Sequence, residues 1–108
     1  MLKKEFRVTS RKEFKEIREN GVMTSTPLFG FLWLKSDSFR VGYIVSKKIS
    51  KKAVDRNRIR RLVSEVIRLN MPTIGVRGLV LVKQSIKDKS LKEIEAVWKE
   101  MILRLKKE

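Results

Sequence analysis

The chain has 108 residues, 42% of them hydrophobic, which suits one domain with a real core and is too short for a second independent core. It carries 27 Lys and Arg against 12 Asp and Glu, for a formal net charge of +15. Cys and His are absent, which excludes disulfides, thiolate nucleophiles, Cys/His zinc sites and imidazole bases. Its three Asp residues are dispersed, so we expect no catalytic residue and no metal site within the chain.

The sequence shows no sign of a membrane or a secretory destination. Its longest apolar run, residues 28–34, is far shorter than the ~20 residues that a membrane-spanning helix requires. The first residues lack the apolar segment of a signal peptide. We therefore expect a soluble, cytoplasmic protein with a single domain over residues 1–108 and no membrane partner.

The first predicted helix begins after Ser10. Ser10 and Glu13 have the spacing of a capping box, and Gly21 is a typical residue just beyond a helix end. Between them, Phe14 and Ile17 lie on one face and form a narrow apolar stripe. This stripe predicts a short helix that packs on a neighbouring sheet.

Strands are predicted next. A Thr/Ser-rich stretch before Pro27 is typical of a short edge strand, and residues 28–35 and 39–46 are predicted to pair as an antiparallel hairpin around the turn at 35–38. Alternation of side chains places one bulky set in the core, namely Phe29, Phe31, Trp33, Phe39, Val41, Tyr43 and Val45. The alternate set predicts an open, partly covered face that another molecule's backbone can approach closely, and it consists of Leu28, Gly30, Leu32, Leu34, Arg40, Gly42, Ile44 and Ser46.

The second half of the chain predicts a helix, a strand and a helix. Apolar residues recur with the helical period at Ile59, Leu62, Val63, Val66 and Ile67, while the opposite side is predicted to carry Asn57, Arg61, Ser64 and Arg68. Pro72 and Gly75 follow this helix, and the apolar run 78–83 predicts a central strand. Ser90 then precedes a final helix whose predicted buried face is Leu91, Ile94, Val97, Trp98, Met101, Ile102 and Leu105. The order α-β-β-β-α-β-α predicts an α+β two-layer sandwich with a small four-stranded sheet and three helices.

Positive charge is concentrated at the start of the second helix. Residues 47–61 hold eight Lys or Arg and one Asp, so nearly half of the net charge of +15 lies in this segment. A cation at a helix N-terminus is disfavoured by ~0.3–1 kcal/mol because the helix dipole is positive there. A bound polyanion removes the conflict, because backbone N–H groups, dipole and side chains then all face negative charge. The alternative, a solvated basic helix that only maintains solubility, is less consistent with this placement.

The pattern favours RNA over double-stranded DNA. A helix-turn-helix reader needs two adjacent helices, whereas the basic helix here follows a sheet. A sheet face beside a short helix that bears Phe14 is more typical of a groove for a single strand. Phe14 is as compatible with a place in the core as with a stacking role.

These residues resemble a known family. The segment VGYIVSKKISKKAVDRNRIRRLVSEVIR is similar to the signature of the protein subunit of bacterial ribonuclease P, in which a V-S-K-K strand end leads into an R-N-R helix. The resemblance covers essentially the whole chain. The chain differs from the family in having one extra residue before Ala53 and no Gly there. It also has Ser64 where Arg is common, Arg18 where a second aromatic residue often lines the cleft, and Leu32 where the family can have Tyr. Lys83 stands where Arg is frequent.

The resemblance implies an accessory role in an RNA enzyme. In that family the RNA subunit is the catalyst and hydrolyses precursor tRNA with Mg²⁺ held by RNA and substrate, so the implied partners are ribonuclease P RNA and precursor tRNA, with no cofactor-like small molecule. It also implies a left-handed β-α-β crossover. The implied contacts with the RNA are Lys47, Lys48, Lys51, Lys52, Arg56, Asn57, Arg58, Arg60, Arg61 and Arg68, with further contacts at Arg7, Arg40 and Lys83. The implied cleft for the single-stranded 5′ leader consists of Phe14, Ile17, Arg18, Leu32 and Ile44.

Two other functions compete with this interpretation. The same charge suits a ribosomal or general RNA-binding protein without an enzyme partner. A stand-alone nuclease is disfavoured because the chain lacks His and an acidic cluster.

Overall fold

The helices and strands follow the predicted order. The computed structural model describes residues 3–107, and it starts with one 3-10 turn at Lys4–Phe6. The regular elements are α1 (Arg11–Asn20), β1 (Val22–Ser25), β2 (Phe29–Lys35), β3 (Arg40–Ile44), α2 (Ala53–Leu69), β4 (Val76–Val82) and α3 (Leu91–Lys106). A second 3-10 turn, Gln84–Ile86, joins β4 to α3. The predicted α+β architecture with three α-helices and a four-stranded sheet is confirmed for the described residues.

The strand pairing differs from the prediction. The sheet order is β1-β2-β4-β3, with β4 antiparallel to β2 and parallel to β3, so the predicted β2–β3 hairpin is wrong. The turn after β2 wraps around the start of β4, where the Ser36 N–H donates to the Gly75 carbonyl at 2.9 Å. A Cβ at Gly75 would lie only 2.0 Å from the Ser36 carbonyl oxygen. The largely apolar β4 thereby occupies an inner place in the sheet, between β2 and β3.

The central position of β4 makes the β3-α2-β4 unit a parallel crossover. Its left-handedness stays a prediction from the family resemblance. β3 lies at one edge of the sheet, and the Val8 N–H donates to the Val41 carbonyl at 3.0 Å on its outer side. The N-terminal segment therefore covers part of this edge.

The main core lies between the sheet and the two long helices. The Trp98 ring of α3 packs against Phe29, Phe31 and Phe39, with ring centroids 6.2, 5.7 and 6.2 Å away. Gly78 makes room for this cluster, since a Cβ there would lie 2.3 Å from the Phe31 ring. The predicted assignment of the bulky strand residues to this core is confirmed.

The other sheet face is covered only in part, by α1. Ile17 is fully buried against Leu79, and a half-buried set surrounds this pair, namely Phe14, Leu32, Leu34, Ile44 and Leu81. This is the smaller, partly open face that the strand pattern predicts. The prediction is wrong for Leu28, which is buried in the main core because it precedes β2 and does not follow the alternation of that strand.

Ion pairs fix α1 on that face. Ser10 accepts the Glu13 N–H at 3.3 Å, but the Glu13 carboxylate binds Arg40 at 3.0 Å instead of returning to the cap. The predicted capping box is therefore only half formed, because a charged arginine is a stronger partner for the carboxylate than a backbone N–H. One turn further on, Glu16 pairs with Arg77, the register partner of Arg40 on β4.

Candidate nucleic-acid interface

The exposed cations at the start of α2 form one continuous segment of surface. We call it the basic surface, and it comprises Lys47, Lys48, Lys51, Lys52, Arg56, Asn57, Arg58, Arg60 and Arg61. Of these side chains, only Arg56 is half-buried, and the others are exposed. Their contact with RNA stays a prediction.

Ser50 organises the segment that leads into α2. Lys52 is the N-cap residue and its side chain makes no cap hydrogen bond. Instead, the Ser50 hydroxyl accepts the Lys52 N–H at 3.2 Å and donates to the Asp55 carboxylate at 3.0 Å. Buried Ile49 anchors the same turn. The one acidic residue of segment 47–61 therefore binds a hydroxyl rather than an arginine.

The arginines of the basic surface keep their charge uncompensated. Arg56 donates to the Ser50 carbonyl at 2.9 Å, Arg58 to the Lys87 carbonyl at 3.2 Å, and Arg60 to the Asn57 side-chain oxygen at 3.1 Å. These acceptors are neutral, and none of the three arginines is paired with a carboxylate within residues 3–107. Neutral acceptors hold the guanidinium groups in place and leave their charge available to an anion.

Arg68 differs from the other arginines of α2. It binds Glu65 through two guanidinium nitrogens, and this pairing lowers the pKa of Glu65 and raises that of Arg68. Its charge is therefore partly neutralised. A contact of Arg68 with RNA stays a prediction, although the ion pair competes with it.

Ser64 is a correction to the predicted helix face. It was expected on the exposed side of α2 but is buried, with 2% of its surface accessible. It lies beside Tyr43 of β3, and the two residues line one pocket. Burial raises the pKa of Tyr43, whose hydroxyl has no hydrogen-bond partner at bonding distance among the described residues, while the nearby Ser64 hydroxyl and the positive charge of Arg7 oppose the rise.

The predicted cleft is formed mainly by α1 and the open sheet face. The Phe14 ring lies over Gly42, where an added Cβ would approach its Cζ to 3.0 Å. Leu32 and Ile44 are half-buried in the same cluster, and exposed Arg18 lines a hollow with Phe14 on α1. Ile17 is fully buried and lies behind the surface of the cleft, and its part in holding a leader stays a prediction.

Two of the three outlying predicted contacts, Arg40 and Lys83, are engaged within the protein. Arg40 pairs with Glu13 and donates to the Arg7 carbonyl at 3.0 Å, while Lys83 donates to Ser25 and Thr26 at 2.7 and 2.6 Å. Arg7 is half-buried, and its Nε is buried without a hydrogen-bond partner among the described residues. Arg40 and Lys83 therefore stabilise the fold, and their contact with RNA stays a prediction.

Residues 3–107 were also compared with the requirements of a metal site and of a membrane-spanning helix. Within residues 3–107, no three His, Cys, Asp or Glu side chains lie together in a way that could hold a metal ion. No helix of this region is long and apolar enough to cross a bilayer. The fold and its surface define a small basic α+β protein with an uncompensated cationic helix, and such a surface suits a polyanion.

Comparison with known proteins gives the family. The model of the family described as Ribonuclease P matches residues 2–106. The chain is 38% identical over 100 residues to the ribonuclease P protein component of Clostridium novyi, covering 87% of this chain and 88% of that protein. It is 37% identical over 83 residues to that of an Exiguobacterium species, covering 75% and 72%. The chain therefore belongs to the ribonuclease P protein family.

Solved structures agree with this assignment. A Staphylococcus aureus RNase P protein, a mutant with defective mRNA degradation activity, superimposes with a TM-score of 0.84 at 25% identity, covering 95% of this chain and 90% of that one. The RNase P protein from Thermotoga maritima has a TM-score of 0.80 at 23% identity, covering 91% and 96%, and supports the fold.

Proposed function

We propose that this chain binds ribonuclease P RNA through the basic surface and holds the single-stranded 5′ leader of precursor tRNA along the α1 cleft. In this way it assists the magnesium-dependent removal of the leader that produces the mature tRNA 5′ end. The observation that carries the proposal is the uncompensated charge of the arginines at the start of α2, in a member of the ribonuclease P protein family.

The basic surface supplies affinity and orientation. Guanidinium groups held by neutral acceptors bind phosphate oxygens without first giving up a carboxylate. Each phosphate that is neutralised releases condensed counterions, which favours binding at low salt. Two strongly anionic RNAs, enzyme and substrate, repel each other, and a cationic protein between them reduces this repulsion.

The cleft suits a single strand better than a duplex. Phe14 is half-buried over Gly42, so part of its ring remains available to stack against a base, and half-buried Leu32 and Ile44 extend the apolar floor. Exposed Arg18 lies on the same helix as Phe14 and is placed for a phosphate of the strand. The proposed contacts of the cleft with a leader are mostly apolar and do not select a particular base, which suits the binding of leaders that differ in sequence.

The RNA supplies the catalytic groups in this proposal. The chain has no His or Cys, and the Glu13 and Glu16 carboxylates of α1 are bound to arginines. The side chains present do not fit a resident Mg²⁺, so the ion is held by RNA and substrate. The protein's task is to bind and position.

Reconstitution tests the proposal. The purified chain is added to ribonuclease P RNA and precursor tRNA at a magnesium concentration too low for the RNA alone, and release of the leader is measured. We expect cleavage to be restored at the mature 5′ end. RNA binding without any restored cleavage would favour a general RNA-binding protein, and cleavage by the protein alone would favour a stand-alone nuclease.

A further inference from the structure

A second concave site lies where the edge strand β3 meets α2. It has a volume of about 410 Å³, within the usual range for pockets that bind small molecules, and we call it the Tyr43 pocket. It is lined by Tyr43, Asn57, Arg60, Arg61 and Ser64. Tyr43 and Ser64 carry no role in the interface described above.

The wall formed by Tyr43 is a flat aromatic surface. The side chain is half-buried and lines the pocket beside Ser64, and its hydroxyl is buried without a hydrogen-bond partner among the described residues. The phenol has an ordinary pKa near 10, and burial raises this pKa further, so the ring is neutral at physiological pH and does not repel a phosphate.

The rim is cationic and carries polar donors. Arg60 donates to the Asn57 oxygen at 3.1 Å, which orients both side chains and leaves the Asn57 amide N–H groups available as donors. Arg61 is exposed and makes no hydrogen bond or ion pair with any residue between 3 and 107. Arg7, whose charge acts on Tyr43, adds positive potential from the side of β3.

We propose that the Tyr43 pocket binds one unpaired nucleotide of the RNA partner, with its base against the Tyr43 ring and its phosphate at Arg60 and Arg61. A bare phosphate needs the cations alone, whereas the aromatic wall and the amide donors add a surface for a planar, polar base. The inference deepens the proposed function and rests on it, since it requires that the basic surface faces RNA.

Tyr43 is the only tyrosine of the chain, which permits a direct test on the full-length protein. Biosynthetic incorporation of 3-fluorotyrosine gives one fluorine-19 resonance, located at this pocket. AMP and UMP are titrated in parallel with inorganic phosphate at constant ionic strength. We expect both nucleotides to shift the resonance saturably and phosphate to shift it much less. An equal shift with phosphate, or no shift with nucleotides, overturns the proposal.

Variants test the pocket in the RNA complex. Replacing Tyr43 by Leu removes the aromatic face and is expected to weaken binding to ribonuclease P RNA roughly 5- to 100-fold, while Tyr43→Phe keeps the ring and stays within about 2-fold. The salt dependence of both variants should match the wild type, since no charge is lost. Equal affinities of folded Tyr43→Leu and wild type overturn the pocket, while salt-independent RNA binding by the wild type overturns the proposed function itself.

Discussion

Arg61 and Arg68 lie two turns apart on α2 and use their charge differently. Arg68 is held by the Glu65 carboxylate, whereas Arg61 is exposed and has no partner between residues 3 and 107. An exposed ion pair contributes little to stability, and it also lowers the attraction for an external anion. The positive charge of Arg61 is therefore fully available to an external anion, and its side chain makes no contact that would stabilise the fold between residues 3 and 107.

Replacement of Arg61 by Ala separates binding from stability. We expect the free energy of unfolding to stay within about 0.5 kcal/mol of the wild type, because no contact is lost. Affinity for ribonuclease P RNA should fall roughly 10-fold through the loss of a charge-assisted phosphate contact. Denaturant titration and a filter-binding assay check the two parts, and a clear loss of stability would mean that Arg61 supports the fold.

Tyr43 predicts a loss of stability at alkaline pH. Its pKa is raised in the folded protein, so its contribution is fully present below the unfolded-state pKa near 10 and is lost as the pH rises through the folded pKa. As the pH rises above about 10, the free energy of unfolding should fall more steeply for the wild type than for Tyr43→Phe. Parallel pH dependences of the two proteins would show that the phenol is not protected by burial.

At the scale of elements, the position of β4 depends on a close backbone approach. Gly75 leaves no room for a Cβ beside the Ser36 carbonyl, while a Cβ at Gly30 would meet only the flexible end of Met23, at 2.9 Å. Backbone atoms in a tight turn move less easily than a methionine side chain.

Ala at these two glycines should have unequal effects. Gly75→Ala is expected to lower the free energy of unfolding by about 1–3 kcal/mol, because the turn around β4 must shift, and Gly30→Ala by clearly less. Thermal and denaturant unfolding of both variants measure the difference. A Gly30 variant as unstable as the Gly75 variant would contradict this account of the strand insertion.

The position of α1 depends on two carboxylates one turn apart. Glu13→Gln leaves Arg40 without its ion-pair partner and should lower the free energy of unfolding by about 1–3 kcal/mol. Since α1 carries Phe14, the preference for precursor tRNA over mature tRNA should also decrease. Binding of both RNAs to the reconstituted complex gives this ratio, and Lys12→Ala on the exposed side of α1 is the control. A variant that keeps the full preference would show that the ion pair does not shape the cleft.

Local signals in the sequence were sufficient for the elements but not for their pairing. Helical periodicity and the Ser90 cap correctly predict α2 and α3, and alternation correctly predicts the two faces of the sheet except at Leu28. The prediction of a β2–β3 hairpin is wrong because it assumed that strands adjacent in sequence pair with each other. In the structure β4 lies between them, and its position depends on the contact of Gly75 with Ser36, two residues that are far apart in sequence. The prediction of an exposed Ser64 is wrong because helical periodicity assigns a polar residue to the solvent side. The sequence does not show that Tyr43 of another element lies beside it.

At the scale of the whole molecule, the net charge is +15, and the cations differ in whether a carboxylate pairs with them. On α1 and the open sheet face, Arg40 and Arg77 are neutralised by glutamates, so this region is more apolar. At the start of α2 no described carboxylate pairs with an arginine. The fold thus separates an apolar cleft from a cationic binding surface, as an RNA-binding protein that also holds a single strand requires.

The salt dependence of binding tests the basic surface most directly. Affinity of the full chain for ribonuclease P RNA is measured between 50 and 200 mM monovalent salt, for the wild type, Arg61→Ala and Lys106→Ala. Lys106 is an exposed cation beside Gly75 at the opposite end of β4, so its variant loses the same charge elsewhere. We predict a steep log–log dependence for the wild type, a slope reduced by about 1 in Arg61→Ala, and a slope close to the wild type in Lys106→Ala. A flat dependence for the wild type, or equal slopes in both variants, would contradict a binding surface located at the start of α2.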